Sequence, residues 1–175
     1  KILEEKYKKP FNTIINKEII KPLHLKNLTS FTANQKNVFL PYRYDNNTWN
    51  ILEKDIDFPN VIGVGDVSAT PYDLNIFINN LFHNKIIKKE SLQQMVPILG
   101  KEDWGRGIAL WDFDGILFYG HGGDTLGSHA ILFYNKEADI SIAYDTNGER
   151  INKDDFIKNI VYLLYNKEFK LPEIN

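Results

Sequence analysis

The sequence predicts an α+β fold, an antiparallel sheet meander covered by helices. Three observations carry this. Four apolar, strand-like runs lie between Gly107 and Asp145, separated only by short turns, and turns that short force antiparallel pairing. An amphipathic run from Asp154 to Asn166 follows, with Phe156, Ile157, Ile160, Val161 and Leu164 on one helical face. A second helical run begins at Thr70-Pro71. Elements of this kind bury their apolar faces against one another.

In chain order, Ile2 to Tyr7 reads as a helix tail, and Pro10 suits the first turn of a second helix. Phe11, Ile14, Ile15, Glu18 and Ile19 give that helix its stripe, and Lys21-Pro22 ends it. Val38–Tyr42 and Thr48–Leu52 are expected strands, with Asp45-Asn46-Asn47 turning between them. Asp57-Phe58-Pro59-Asn60, Gly63 and Gly65 read as irregular connection.

Thr70 is expected to cap the next helix, with Pro71 at its first position and Asp73 closing a capping box onto Thr70. Its buried face is Leu74, Phe77, Ile78, Leu81 and Phe82, and His83-Asn84-Lys85 stops it. A short helix, Lys89 to Val96, precedes the sheet. The strands are Gly107–Phe113, Ile116–His121, Ser128–Tyr134 and Ile140–Asp145. Asp114-Gly115 is a two-residue hairpin signal, because both residue types tolerate positive φ.

Composition narrows the function. The chain has 175 residues, enough for one domain or a large part of one. A net charge of −2 without a basic cluster stands against a nucleic-acid binder. The absence of cysteine removes disulfides, thiolate zinc sites and cysteine nucleophiles. No apolar run is long enough to span a membrane. Lys1-Ile2-Leu3-Glu4-Glu5 is charged and amphipathic rather than leader-like, and the chain is expected to be a piece of a longer one, starting inside a helix. Glu102-Asp103 has no partner at metal-ligand spacing, so neither metal nor cofactor is expected. His24 and His83 stand at helix exits, where a histidine bonds the last carbonyls.

Tyr119-Gly120-His121-Gly122-Gly123-Asp124-Thr125-Leu126-Gly127 concentrates the chemistry. A histidine ends an apolar strand, and glycines after it let backbone amides approach a ligand. Four further landmarks stand in order around it. They are Ile19-Ile20-Lys21-Pro22-Leu23-His24-Leu25-Lys26-Asn27, Gly65-Asp66-Val67-Ser68-Ala69-Thr70-Pro71-Tyr72-Asp73-Leu74, Trp104-Gly105-Arg106-Gly107-Ile108-Ala109-Leu110-Trp111 and Asn135-Lys136-Glu137-Ala138-Asp139-Ile140-Ser141-Ile142. Together they resemble the C-terminal portion of the serine β-lactamase and penicillin-binding-protein family, which includes class C β-lactamases, DD-peptidases and esterases. Residues 1–175 would then be the C-terminal portion of one catalytic domain.

The resemblance implies an acyl-serine mechanism, in which a Ser-x-x-Lys serine attacks a peptide, β-lactam or ester carbonyl. No serine here has lysine three positions on: Ser30, Ser68, Ser91, Ser128 and Ser141 all fail. Tyr44-Asp45-Asn46 matches the second motif formally, but it follows the Pro22-Leu23 landmark and reads as a turn. Only the third element is present. By resemblance, His121 is a catalytic candidate, Asp124 a backbone oxyanion donor, and Gly122, Gly123 and Thr125 substrate-binding. The partners implied are a small-molecule or peptide substrate and the N-terminal remainder of the domain, and the address is periplasmic, cell-envelope or secreted. The alternative is a non-catalytic pseudo-enzyme or binding domain of the same fold.

Overall fold

The computed structural model describes residues 1–30, 38–52, 61–125 and 127–174. Helix α1 (Ile2–Tyr7) is followed by α2 (Phe11–Ile15), which runs on into one π turn, Asn16–Ile20. The π turn replaces the continuous α-helix expected, and its wider bonding shows in Lys21 N–H donating to Asn16 O at 2.9 Å. His24 then takes a positive φ of 54°, ending the helical stretch in the left-handed conformation.

Strand β1 (Thr29–Ser30) pairs antiparallel with β4 (Val67–Ser68), while β2 (Tyr42–Asp45) pairs with β3 (Thr48–Ile51). The β2 strand starts at Tyr42 rather than Val38. Asn46 and Asn47 both have positive φ, so the turn is the primed kind that sets this register, and Pro41 has no N–H to offer a ladder. Residues 57–60 lie outside the described residues.

Helix α3 (Pro71–Phe82) is capped by Thr70, whose hydroxyl accepts from Asp73 N–H at 3.4 Å. The other half of the expected box does not form. The Asp73 carboxylate, 1% exposed, instead accepts Asn27 N–H at 2.5 Å. It thereby fastens the segment after Pro22 to the start of α3. Helix α4 (Lys89–Met95) leads into the sheet.

The sheet is an antiparallel meander of β5 (Ala109–Phe113), β6 (Ile116–Thr125), β7 (Ser128–Asn135) and β8 (Ile140–Thr146), in that spatial order. Strand β5 starts two residues later than expected, because Gly107 at φ 80° belongs to a turn. Strand β6 runs four residues beyond His121, so Gly122 and Gly123 are strand rather than loop. Asp114 and Gly115 adopt φ of 52° and 87°, as the hairpin signal requires. Buried Asn135 locks the next turn, accepting from Glu137 and Ala138 N–H and donating to Leu117 O.

Both faces of the sheet are covered. Ile78, Leu81 and Phe82 of α3 pack with Leu92, Tyr119 and Tyr134 on one face. Helix α5 (Lys153–Leu164) sets Ile157 and Val161 against Phe118, Ile131 and Phe133 on the other. Leu164, expected on the buried face, is exposed, and Tyr165 just beyond the helix packs against that core instead. Each fully buried side chain of this size contributes about 1.5–3 kcal/mol. His83 does not bond the α3 carbonyls with its ring. Its Nε2 lies 3.1 Å from Asp139 Oδ1, which also accepts the Tyr134 hydroxyl at 2.5 Å.

At Gly120 a Cβ would lie 1.8 Å from Leu132 O, whereas at Gly123 it would meet nothing within 4 Å. Gly120→Ala is therefore expected to destabilise by at least the ~1–3 kcal/mol of an overpacked core. Gly123→Ala should stay within about 1 kcal/mol of wild type. Urea denaturation of both variants checks this, and equal losses would contradict it.

Candidate active site

Strand β6 outruns its neighbour. Ala109, the first residue of β5, pairs with Gly120. Among the described residues, His121 to Thr125 pair with β7 alone, so their β5-side edge is open within the sheet. Thr125 and Ser128 flank a two-residue turn and are register partners. Residues flanking such a turn exchange both ladder hydrogen bonds, and bonded and unbonded pairs then alternate. Gly122↔Ile131 and Asp124↔His129 fall on the unbonded positions. Their own N–H and C=O groups consequently point away from β7, toward the open edge. The β5 side obeys the same parity: Leu110, opposite Tyr119, turns its N–H outward to Asp103 O at 2.8 Å.

His121 lies inside β6, not at its end, and is exposed. Its Nδ1 stands 2.6 Å from Gly122 O. A neutral ring thus carries its proton on Nδ1, and Nε2 is the acceptor offered to a ligand. Trp104, 60% exposed, sets its ring edge-on to His121 at 5.4 Å. The backbone around Trp104 is fixed by Gly105 N–H to Ile108 O at 2.8 Å and Arg106 N–H to Met95 O at 2.7 Å. The added Cβ at Gly122 would make only an ordinary contact, 3.6 Å from Ala130 O. Neither Gly122 nor Gly123 is demanded by crowding from the chain itself.

The β2–β3 hairpin closes the same end of the sheet, with Tyr42 N–H donating to Asn147 O at 2.7 Å. A Cβ on Gly127, which has φ 69°, would stand 2.6 Å from Tyr42 O. A cleft of about 470 Å³ lined by Lys9, Asn12, Lys17, Lys21, Thr29 and Ser30 contains none of the motif residues. The candidate site is a strand edge, not that cleft.

The residue parity places Asp124's amide at the edge while its side chain turns to the α5 face. Its Oδ1 meets His129 Nδ1 at 2.7 Å and also Lys153 Nζ, and His129 Nε2 lies 3.0 Å from Glu149 Oε2. Burial acts to raise the Asp124 carboxyl, but hydrogen bonds and charge from Lys153 and His129 outweigh it and hold the group low. His129, to which sequence alone assigns no role, is thus a member of a charged cluster. Lys153 and Glu149 lie 29 and 25 positions beyond Asp124, and no local spacing signals their meeting.

Asp145 on β8 is a second residue that sequence reasoning misses. Its Oδ1 is buried without a hydrogen-bond partner among the described residues. Burial pushes its carboxyl up to about 6. Among the described residues no group of three or more His, Asp or Glu is placed to hold a metal ion.

The helix-covered antiparallel sheet is that of the hydrolase folds of the β-lactamase and penicillin-binding type. The chain is a member of the beta-lactamase family, whose model matches residues 1–167. Three solved structures share the fold. D-amino acid amidase from Ochrobactrum anthropi SV3 is 18% identical at TM-score 0.76, with 94% of this chain and 55% of that one covered. The octameric penicillin-binding protein homologue from Pyrococcus abyssi is 19% identical at TM-score 0.78, covering 95% and 40%. FmtA from Staphylococcus aureus is 18% identical at TM-score 0.77, covering 99% and 50%. The chain thus spans about half the length of these structures. No curated protein matches it by sequence.

The raised Asp145 carboxyl has a consequence for stability. Its folded value of about 6 lies above the ~3.9 of an unfolded aspartate. Its contribution is complete below the unfolded value and is lost as pH rises through about 6. Asp145→Asn should therefore stabilise more at pH 7 than at pH 4. Denaturation midpoints across that range check this, and parallel profiles for wild type and variant would contradict it.

Proposed function

We propose that this chain is the sheet-bearing half of a serine acyl-hydrolase. A peptide, β-lactam or ester carbonyl lies along the open edge of β6. It acylates a serine contributed by residues upstream of Lys1. The observation that carries the reading is the parity of β6, which turns the Asp124 amide outward beside the exposed His121.

In this reading the Asp124 N–H donates to the developing oxyanion, and the second donor comes with the serine. Removing one such donor typically costs about 2.7–4 kcal/mol of transition-state stabilisation. The outward groups of Gly122 bind an extended substrate as a neighbouring strand would. The missing Cβ atoms of Gly122 and Gly123 allow close approach, and Thr125 ends the binding stretch. His121 Nε2 accepts a proton or hydrogen bond from the substrate or from the nucleophile's proton relay. The N-terminal remainder of the domain is the partner that completes the site, and an envelope or secreted address goes with it.

The lack of any Ser-x-x-Lys within these residues keeps one other reading, a non-catalytic domain of the same fold. Labelling with a fluorescent fluorophosphonate separates the two. The product of the complete reading frame should label at a serine upstream of Lys1, and residues 1–175 alone should neither label nor hydrolyse nitrocefin with a burst. His121→Asn in the complete product should lower kcat/KM by about a hundredfold. An unlabelled complete product would establish the non-catalytic reading. Burst hydrolysis by residues 1–175 alone would contradict the division of the site between two halves.

A further inference from the structure

We propose that Lys153, His129 and Glu149 form a clamp that holds the Asp124 carboxylate off the open edge of β6. This rests on the acyl-hydrolase reading above and assigns those residues as positioning residues within it.

Asp124 brings two opposed groups to one position. Its amide favours negative charge at the edge, while a carboxylate swung to the same side would oppose that charge. The structure resolves the conflict by geometry. Asp124 and His129 are unbonded partners across β6 and β7, the kind of pair whose side chains approach most closely. One carboxylate oxygen, Oδ1, meets both His129 Nδ1, at 2.7 Å, and Lys153 Nζ. Both nitrogens reach it on the α5 face, away from the open edge.

Both partners of the carboxylate are themselves held. Lys153 is the first residue of α5, and its N–H donates to Glu149 Oε1 at 3.1 Å. The preceding residue, Asn152, caps the helix by accepting from Asp154 and Asp155 N–H at 2.9 and 3.1 Å. The other carboxylate oxygen of Glu149 stands 3.0 Å from His129 Nε2. His129 therefore lies between two carboxylates, and in its doubly protonated form it donates to both. The side chains of His129 and Lys153 are only 15% and 19% exposed, whereas that of Asp124 is 55% exposed. The clamp is thus shielded from water on the side that grips and open on the side that is gripped. The low-lying Asp124 carboxyl agrees with a negative charge stabilised there.

A double-mutant cycle tests the clamp in the product of the complete reading frame, with p-nitrophenyl acetate as probe. Lys153→Met should lower kcat at least tenfold and leave KM within threefold, because a carboxylate held by His129 alone can turn toward the edge, where it opposes the oxyanion and not ground-state binding. Lys153→Arg, which keeps the charge, should retain activity. In an Asp124→Asn background, whatever rate that sets, adding Lys153→Met should change kcat less than threefold, since no carboxylate is left to restrain. A structural role for Lys153 would depress both backgrounds equally, and that result overturns the clamp. So does a Lys153→Met variant as fast as wild type. Fluorophosphonate labelling of the wild type separates the two claims. An unlabelled wild type overturns the acyl-hydrolase reading and the clamp with it, while a labelled wild type without background dependence overturns the clamp alone.

Discussion

The register of β6 against β7 is the constraint on which the rest of the structure depends. Two short turns set it. Asp114-Gly115 fixes β6 against β5, and the turn ending at Gly127 fixes it against β7. A slip of one residue would move every apolar side chain of β6 to the opposite face. Phe118 and Tyr119 belong to different cores, one under α5 and one under α3. Both cores therefore oppose such a slip. Gly120 adds a steric lock, since only hydrogen fits where Leu132 O approaches. Fixing the register also fixes which amides turn outward beyond the end of β5.

The candidate site lies where the two cores give out. Below Gly120, β6 is flanked on both sides and its side chains are buried or half-buried. Above it the strand keeps a single neighbour and carries His121, two glycines and Asp124. Hydrophobic burial holds the lower half rigid, and the upper half projects from it as an extended, half-paired edge. The start of α5 and the β2–β3 hairpin reach the same region, through Lys153 and through Tyr42 and Gly127. These contacts place the edge, and among the described residues no strand pairs with its outer side.

Much of this was legible in the sequence, for identifiable reasons. The strands of the meander are bounded by turns whose residues tolerate positive φ, and α3 announces itself through Thr70-Pro71. The family followed from landmarks in order rather than from any one of them. Other features depend on tertiary neighbours and carry no local signal. The length of β6 is one, because Gly122 and Gly123 favour no strand and acquire it by pairing with β7. The choice of Asp73 is another: a capping box and a bond to Asn27 N–H use the same carboxylate, and only packing decides between them. The cluster of Asp124, His129, Glu149 and Lys153 is a third, assembled from two strands, a loop and a helix start. The sequence does not reveal that the Asp145 Oδ1 is buried without a hydrogen-bond partner among the described residues, since β8 reads as an ordinary alternating strand.

Amide hydrogen exchange across β6, followed residue by residue by NMR, tests the central claim most directly. The account predicts slow exchange at His121, Gly123 and Thr125, whose N–H groups face β7, and fast exchange at Gly122 and Asp124, whose N–H groups face the open edge. The opposite alternation, with Asp124 protected and Gly123 exposed, would show a register shifted by one residue. It would remove the outward amide on which the acyl-hydrolase reading stands.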